Sequence, residues 1–284
     1  MKTKFKLIAL AFIIGLGCLI SPIKVNAKMP FYNLKPKDLV VRAEFFTSYQ
    51  NSTKERKHNI ALATASINNT FVDVGGEFSF NNTVGKRTEK RGYKSAKIIL
   101  NGEFIEGVGG GVCQVSTTLY NAVILAGLKV TEYHPHSLKV SYVLPSFDAM
   151  VNSNTADLRF VNTTNNPIII NATADGEKLL IKIIGEKSDY TIERVSVEKE
   201  EIPFLEDKIV IDEKLEYPTL YEGEKRYIVY PKKGLKSVGY LIKRKNGKVI
   251  EKIKLREDKY GAIRGVIVVG TAKREEVEEQ FLEE

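Results

Sequence analysis

Cys113 stands in GVGGGVCQVSTTLYNAVILAG, residues 107–127, and the chain's other cysteine, Cys18, lies in an apolar N-terminal stretch. A thiol outside a disulfide is a potential nucleophile, and its surroundings decide whether it acts as one. Gly109, Gly110 and Gly111 precede it. Inside a helix each glycine costs about 1 kcal/mol against alanine, but in a tight turn glycine lets the backbone approach a ligand closely. After them Val115, Leu119, Ala122, Val123 and Ala126 recur at helical spacing, and Gly127 is a natural stop. Cys113 is therefore expected in the first turn of a helix. Unpaired N–H groups and the positive end of the helix dipole favour a thiolate there. A free cysteine titrates near about 8.5, and reactive ones at such positions between about 3.5 and 7.5. The same N–H groups, with those of Gly110 and Gly111, are expected to hold an oxyanion during acyl transfer. The competing reading is a buried structural cysteine, because free cysteine is among the most buried residue types.

A cysteine nucleophile needs a base. The histidines are His58, His134 and His136. His58 falls on the polar side of an expected helix and reads as a surface residue. His134 and His136 flank Pro135 in TEYHPHSLKVSY. No third ligand has convincing spacing, so no metal is expected, and a Cys–His acyl-transfer pair is preferred. His136, beside Ser137, is favoured over His134, and Asp148 in SFDAMV is a candidate to orient the ring. Gln114, Ser116 and Thr117 lie next to the thiol, either to bind substrate or to cap the helix. The run from Lys86 to Lys97 carries Lys86, Arg87, Lys90, Arg91, Lys94 and Lys97 against Glu89. It reads as a solvated loop or as a rim facing an anionic substrate.

Several elements must position these residues. Ser52 to Asn69 reads as a helix with Ser52 or Thr53 as N-cap and Ile60, Ala63 and Ile67 on its apolar face. GGEFSFNNTVG follows with turn chemistry around Phe78–Phe80. After the cysteine helix come strand-like runs at Leu128–Tyr133, Leu138–Val143, Leu158–Asn162, Pro167–Ala172 and Lys178–Ile184, with hairpins expected at Asn165-Asn166 and Asp175-Gly176. From Ser188 onward helical periodicity gives way to short β-type runs: Thr191–Val197, Lys208–Ile211, Arg226–Tyr230, Val238–Lys245, Val249–Leu255 and Val266–Val269. Asn246-Gly247 between two of them is a strong hairpin signal. The expected fold class is α+β, a mixed helix and antiparallel-sheet catalytic domain followed by an all-β module. Its expected parts are a leader (1–27), a spacer (28–40), the first domain (41–187), the β module (188–273) and an acidic tail (274–284).

Composition narrows the function. The chain has 284 residues, 43% hydrophobic and 27% charged, which excludes long disorder and a multi-span membrane protein. Its formal charge is +8, but residues 1–27 contribute four lysines and no acid. The remainder is too mildly basic for a nucleic-acid partner, and residues 191–284 balance 20 basic against 20 acidic residues. The basic start, the apolar run Leu7–Ile20 and the small-x-small end Val25-Asn26-Ala27 match a secretory signal, cleaved after Ala27 or kept as an anchor. A lipoprotein leader at Cys18 is disfavoured by the apolar Leu19 and Ile20 after it. The expected location is extracytoplasmic, at the cell wall or the outer face of the membrane, with membrane contact only through an uncleaved leader. ATP and nicotinamide are scarce there, and no cofactor is expected.

VGGEFSFNNTVGKRTEKRGYKSAKIILNGEFIEGVGGGVCQVSTTLYNAVILAGLKVTEYHPHS, with VSYVLPSFDAMV and LRFVNTTNNPIII, closely resembles the VanW domain family over about residues 41–186. The unit after Ser188, with EEIPF, the Asn-Gly hairpin and VVGT, resembles a G-five (G5) domain. The first resemblance implies L,D-transpeptidase activity on peptidoglycan, as in clostridial relatives. There a cysteine attacks the bond before the terminal D-alanine of a tetrapeptide stem and passes the acyl group to a second stem, giving a 3-3 crosslink. Cys113 matches the family cysteine, His136 the histidine of its His-Ser pair and Asp148 its Asp-Ala motif. The Ser-His-Gly-Cys string of YkuD-type L,D-transpeptidases is absent, so Arg87 or another cation of the basic run would hold the stem carboxylate. Stem peptides and glycan are the implied partners. A cysteine L,D-carboxypeptidase and a non-catalytic wall-binding or scaffold protein are the alternatives.

Overall fold

The computed structural model describes residues 39–100 and 102–273. The expected leader (1–27), the spacer up to residue 38 and the acidic tail (274–284) lie outside the described residues. Among the described residues no helix is long and apolar enough to cross a membrane.

The first half begins with β1 (Val40–Ser48) and α1 (Lys54–Ile67). Thr53 caps α1 by accepting from the Arg56 N–H, and Asn59, Ile60, Ala63, Thr64 and Ile67 form its buried face at helical spacing. Next come β2 (Thr70–Val72), β3 (Glu77–Ser79), α2 (Phe80–Val84), β4 (Ser95–Leu100) and β5 (Glu103–Val108). The basic run spans the turn before β4 and the start of that strand. Then follow α3 (Val112–Leu125), β6 (Lys129–Glu132), β7 (Arg159–Val161), β8 (Ile168–Ala174) and β9 (Lys178–Gly185). One antiparallel sheet has the order β1-β9-β8-β2, a second β3-β7-β6, and β4 pairs with β5. Residues alternate across the first sheet, so Leu179, Ile181 and Ile183 of β9 and Ile168, Ile170 and Ala172 of β8 are buried. Helix α3 packs on β1 and β9. Each large aliphatic side chain so buried contributes roughly 1.5–3 kcal/mol.

Two strand expectations need correction. Leu138–Val143 forms no strand: only Leu138 makes an isolated bridge, to Gly261. Residues 134–153 instead run as an irregular segment, bonded at several points to α3 and the second half. The Asn165-Asn166 turn does not close a hairpin, because β7 pairs with β3 and β6 whereas β8 pairs with β2 and β9. Asp175-Gly176 does join paired strands, β8 and β9, with Gly176 at φ 102°.

The second half is all strand: β10 (Thr191–Ile202), β11 (Lys208–Ile211), β12 (Lys225–Val229), β13 (Gly234–Lys245), β14 (Lys248–Tyr260) and β15 (Val266–Val269). They form two sheets, β10-β13-β14 and β11-β15-β12. The β14 strand runs five residues beyond the apolar run that predicts it, as far as Tyr260.

Candidate active site

From Val112 to Ile124 every residue of α3 is buried except Cys113, which is half-exposed. A helix enclosed on nearly all sides needs its polar groups satisfied internally, and that requirement builds the site. Asn121 donates to the Phe147 carbonyl (2.7 Å). Thr117 accepts from the Ala149 N–H (2.9 Å), and Ser116 donates to the Ala149 carbonyl (2.6 Å). The Cys113 Sγ lies 3.2 Å from the Val151 carbonyl oxygen. One face of α3 thus grips alternate residues 147, 149 and 151 of an extended segment. Asp148, between them, points the other way, towards His136.

The imidazole Nδ1 is 2.7 Å from Asp148 Oδ2, which also accepts from the His136 main-chain N–H at 2.6 Å. Both residues are buried, at 5% and 1% exposure. Cys113 also acts on the His136 ring, raising its pKa, and with Nδ1 committed to Asp148 its Nε2 is the nitrogen left for the thiol. Burial opposes a thiolate at Cys113, yet the hydrogen bond and charge of His136, the Val151 main chain and Arg87 together bring its pKa below the ordinary thiol value. Burial also opposes an imidazolium, but the bonds to Asp148 and Cys113 prevail and push the His136 pKa up to about 9. Burial would raise Asp148; its bond to His136, with Arg256 and Tyr260, brings it down to about 2. The cysteine and histidine shifts both move the proton from sulfur to imidazole.

His134 is turned away: its Nε2 meets Glu132 at 3.0 Å and the side chain is exposed. His58 is exposed and meets the Gly92 carbonyl. Among the described residues no group of three or more His, Cys, Asp or Glu is placed to hold a metal ion.

The site opens onto a cleft of about 1050 Å³. Arg56, Arg87, Lys97, Lys139, Lys232 and Lys259 line it, and among the described residues no aspartate or glutamate does. Arg87 is held by Asn81 Oδ1 (2.7 Å) and the Gly85 carbonyl. The other cations of the basic run, Lys86, Lys90, Arg91 and Lys94, do not reach the cleft. Tyr142 lines it close to Cys113, and burial beside the thiol raises its pKa.

Several expected substrate contacts are corrected by their surroundings. Ser116 and Thr117 are fully buried and tie α3 to Ala149, so they hold the Asp148 segment rather than a ligand. Gln114 borders the cleft, but its amide is engaged with Thr47, the Ser48 carbonyl and Arg56. Gly111 lines the cleft at φ 109°, with the N–H of Cys113 following in the first helix turn. Gly110 does not: an added Cβ there would lie 2.6 Å from the Ala96 carbonyl, so this glycine permits close packing on β4.

Among the described residues, five from the second half enter the site without having been anticipated: Arg256, Tyr260, Lys232, Lys259 and Ile263. Arg256 and Tyr260 are almost fully buried, and both bond Asp148. Their signal is faint. Arg256, Asp258 and Tyr260 alternate along β14 and so share one face of the strand, but the string reads equally well as a solvated strand end.

The comparisons with known proteins follow this division. Residues 55–184 match the family model described as VanW like protein, and residues 193–272 match the G5 domain model. The chain thus carries a stretch similar to VanW-like proteins followed by one similar to G5 domains. It is 46% identical over 140 residues to the "Uncharacterized protein YoaR" of Bacillus subtilis, a match covering 49% of this chain and 46% of that protein. It is 25% identical over 143 residues to the "Vancomycin B-type resistance protein VanW" of Enterococcus faecalis, covering 49% of this chain and 52% of that protein. The chain thus spans about half the length of these relatives. For the G5 domain, the solved structure titled "Crystal structure of HP0197-G5" is 26% identical, covers 29% of this chain and all of its own, and has a TM-score of 0.15. The structure titled "IgA1 Protease G5 domain structure" is 20% identical, covers 30% of this chain and 92% of its own, and has a TM-score of 0.19.

Proposed function

We propose that the protein is an exported cysteine L,D-transpeptidase that forms 3-3 crosslinks between peptidoglycan stems. The observation that carries this reading is the Cys113–His136–Asp148 arrangement, opening where α3 is otherwise closed onto a cleft lined, among the described residues, by cations and no carboxylate. Such a cleft suits a substrate bearing carboxylates, as stem peptides do, and the charge of Arg87 acts on the thiol.

The Cys113 thiolate attacks the carbonyl carbon before the terminal D-alanine. The S–C bond forms, and the Cys113 N–H, with Gly111 beside it, stabilises the oxyanion. The C–N bond then breaks as the imidazolium of His136 gives its proton to the departing amine. The side-chain amine of a second stem attacks the thioester, loses its proton to His136 and releases the thiolate. Asp148 holds the ring in one orientation throughout. Contact of the G5 domain with wall glycan belongs to the same reading, as does an extracytoplasmic location.

The test is to incubate the chain lacking residues 1–27 with disaccharide-tetrapeptide and follow products by mass spectrometry. We expect an acyl adduct on Cys113, a dimer with a 3-3 link, and loss of both in Cys113→Ala. Release of D-alanine without dimer would instead make the enzyme a carboxypeptidase. Dimer formed equally by Cys113→Ala would overturn the assignment.

A further inference from the structure

A two-domain chain of this kind invites the view that the first domain does the chemistry and the second merely attaches it. The contacts around Asp148 argue otherwise. Its carboxylate and main chain accept five hydrogen bonds. Two come from His136, to Oδ2. The other three come from β14 of the G5 domain: Arg256 Nη2 to Oδ1 (2.5 Å), Tyr260 hydroxyl to Oδ1 (2.6 Å), and Arg256 Nη1 to the Asp148 carbonyl (2.7 Å). One guanidinium therefore fixes both the side chain and the backbone of the same residue, the forked geometry at which arginine excels.

The grip extends along the segment before Asp148. Tyr260 accepts from the Ser146 N–H (2.7 Å), and Ser237 of β13 bonds the Ser146 hydroxyl (2.7 Å). Ser146 has φ 64°, a left-handed conformation that is strained for a residue with a Cβ. The groups that hold it come from the G5 domain. The residue after Tyr260, Gly261, donates to the Ser137 carbonyl (2.7 Å) and bridges Leu138, so the strand end also anchors the stretch that carries His136.

Burial distinguishes this contact from ordinary surface pairing. On or beside the same sheet, Lys233–Glu201, Lys236–Glu200, Arg244–Glu193 and Lys245–Asp189 are ion pairs with side chains 38–68% exposed, and such solvent-screened pairs contribute little. Arg256 and Asp148 are 2% and 1% exposed. Removing two ions from water costs several kcal/mol each, and a well-packed apolar seam would join two domains more cheaply. Asp258 bonds Arg256 Nε (2.7 Å) on the strand itself, leaving the two Nη groups aimed at Asp148.

We propose that the G5 domain supplies part of the active site, with Arg256 and Tyr260 as positioning residues that set the Asp148 carboxylate and, through it, the His136 ring against Cys113. The inference rests on reading Cys113 and His136 as the reacting pair. The charged and titratable groups facing this relay are His136, Arg256, Tyr260, Tyr120 and, through Arg256, Asp258 and Tyr133 around Asp148; around Cys113 they are His136, Arg87 and Tyr142.

The test uses the whole chain and needs no muropeptide: the rate of Cys113 alkylation by iodoacetamide is followed against pH. Tyr260→Phe removes one hydroxyl and keeps the ring. Arg256→Lys keeps the charge and loses the fork, and Arg256→Met loses both. For Arg256→Met we expect alkylation near neutral pH to slow about tenfold and the midpoint of the profile to rise by about one pH unit. Arg256→Lys should recover part of that loss, and Tyr260→Phe should slow alkylation about threefold. If Arg256→Met fails to fold, Tyr260→Phe and Arg256→Lys decide the matter. Wild-type profiles in both of those variants would reduce Arg256 and Tyr260 to domain glue and overturn the proposal. A wild-type thiol that alkylates fast but builds no crosslink would instead sink the transpeptidase reading.

Discussion

At its tip the β13–β14 hairpin turns through Asn246 and Gly247, both at positive φ (50° and 77°), and the residues just beyond, Lys248 to Ile253, are exposed. Near its base the same hairpin buries Ser237, Gly239, Arg256, Asp258 and Tyr260 against a segment roughly a hundred residues earlier in the chain. The tip is governed by what two residues can do locally: an Asn-Gly pair supplies the left-handed turn that a right-twisted hairpin needs. The base is governed by what Asp148 and Ser146 require. The contrast separates a strand pair that would form for its own reasons from one shaped to complete a distant site, and each end can be attacked separately.

The largest effect belongs at the base. Asp148→Asn leaves the main chain of residue 148 in place but removes the anion between His136 and Arg256. Asp258 still pairs with Arg256, so we expect a loss of roughly 3 kcal/mol in urea denaturation, together with at least a tenfold fall in Cys113 alkylation near neutral pH. The pH dependence has a definite sign. Asp148 titrates near about 2 in the folded chain, below its ordinary 3.8, so its contribution is present above about pH 4 and lost as pH falls towards 2. His136 titrates near about 9, above its ordinary 6.5, so its contribution is present below about pH 6.5 and lost as pH rises through 9. Stability of the wild type should therefore fall away on both sides of this window, and Asp148→Asn should flatten both slopes. Unchanged slopes would show that the relay is not what couples the protein to pH.

The same contrast explains what could be read from the residues alone. The Cys113 helix, its glycine turn, the β8–β9 hairpin and the runs of the second half rest on local signals: helical spacing, turn chemistry and β-branched clusters. The sharing of a site by Cys113, His136 and Asp148 was suggested by residue type and family likeness, because the irregular 134–153 segment has no periodicity to place its side chains. It is positioned by bonds from α3 and β14 that are long-range in sequence. Ser116 and Thr117 looked available because they neighbour the thiol, but at one residue per 100° they turn inward to Ala149. Arg256-x-Asp258-x-Tyr260 lies beyond the apolar run Val249–Leu255 and carries no signal of its own, because a strand's two faces are equivalent in sequence until something packs on one of them.

An intermediate effect is expected where the two regions press together without a charge. Gly239 pairs with Arg256 across the ladder, and a Cβ there would lie 2.9 Å from the Ser146 carbonyl oxygen and 3.1 Å from the Ser146 Cβ. Gly239→Val must push the 146–148 segment off the sheet. We expect a loss of about 1–3 kcal/mol and slower alkylation of Cys113, although the substituted residue touches neither cysteine nor histidine. Lost stability with an unchanged alkylation profile would mean that the seam can open without disturbing the relay.

The smallest effect belongs at the tip and tests the other half of the contrast. Gly247 has φ 77° and nothing within 4 Å of where a Cβ would stand, so Gly247→Ala introduces strain without a clash. The cost should be about 1 kcal/mol, the ordinary penalty for a residue with a Cβ in the left-handed region, measured as a lower midpoint in thermal unfolding. The ladder between tip and base contains irregularities at Gly239/Tyr240 and Lys243/Arg244, where a change in twist at the turn can be absorbed before it reaches Arg256. Alkylation of Cys113 should therefore keep its wild-type pH profile. A shifted profile would mean that the hairpin transmits strain along its length, and the tip would then have to be counted among the elements that set the site.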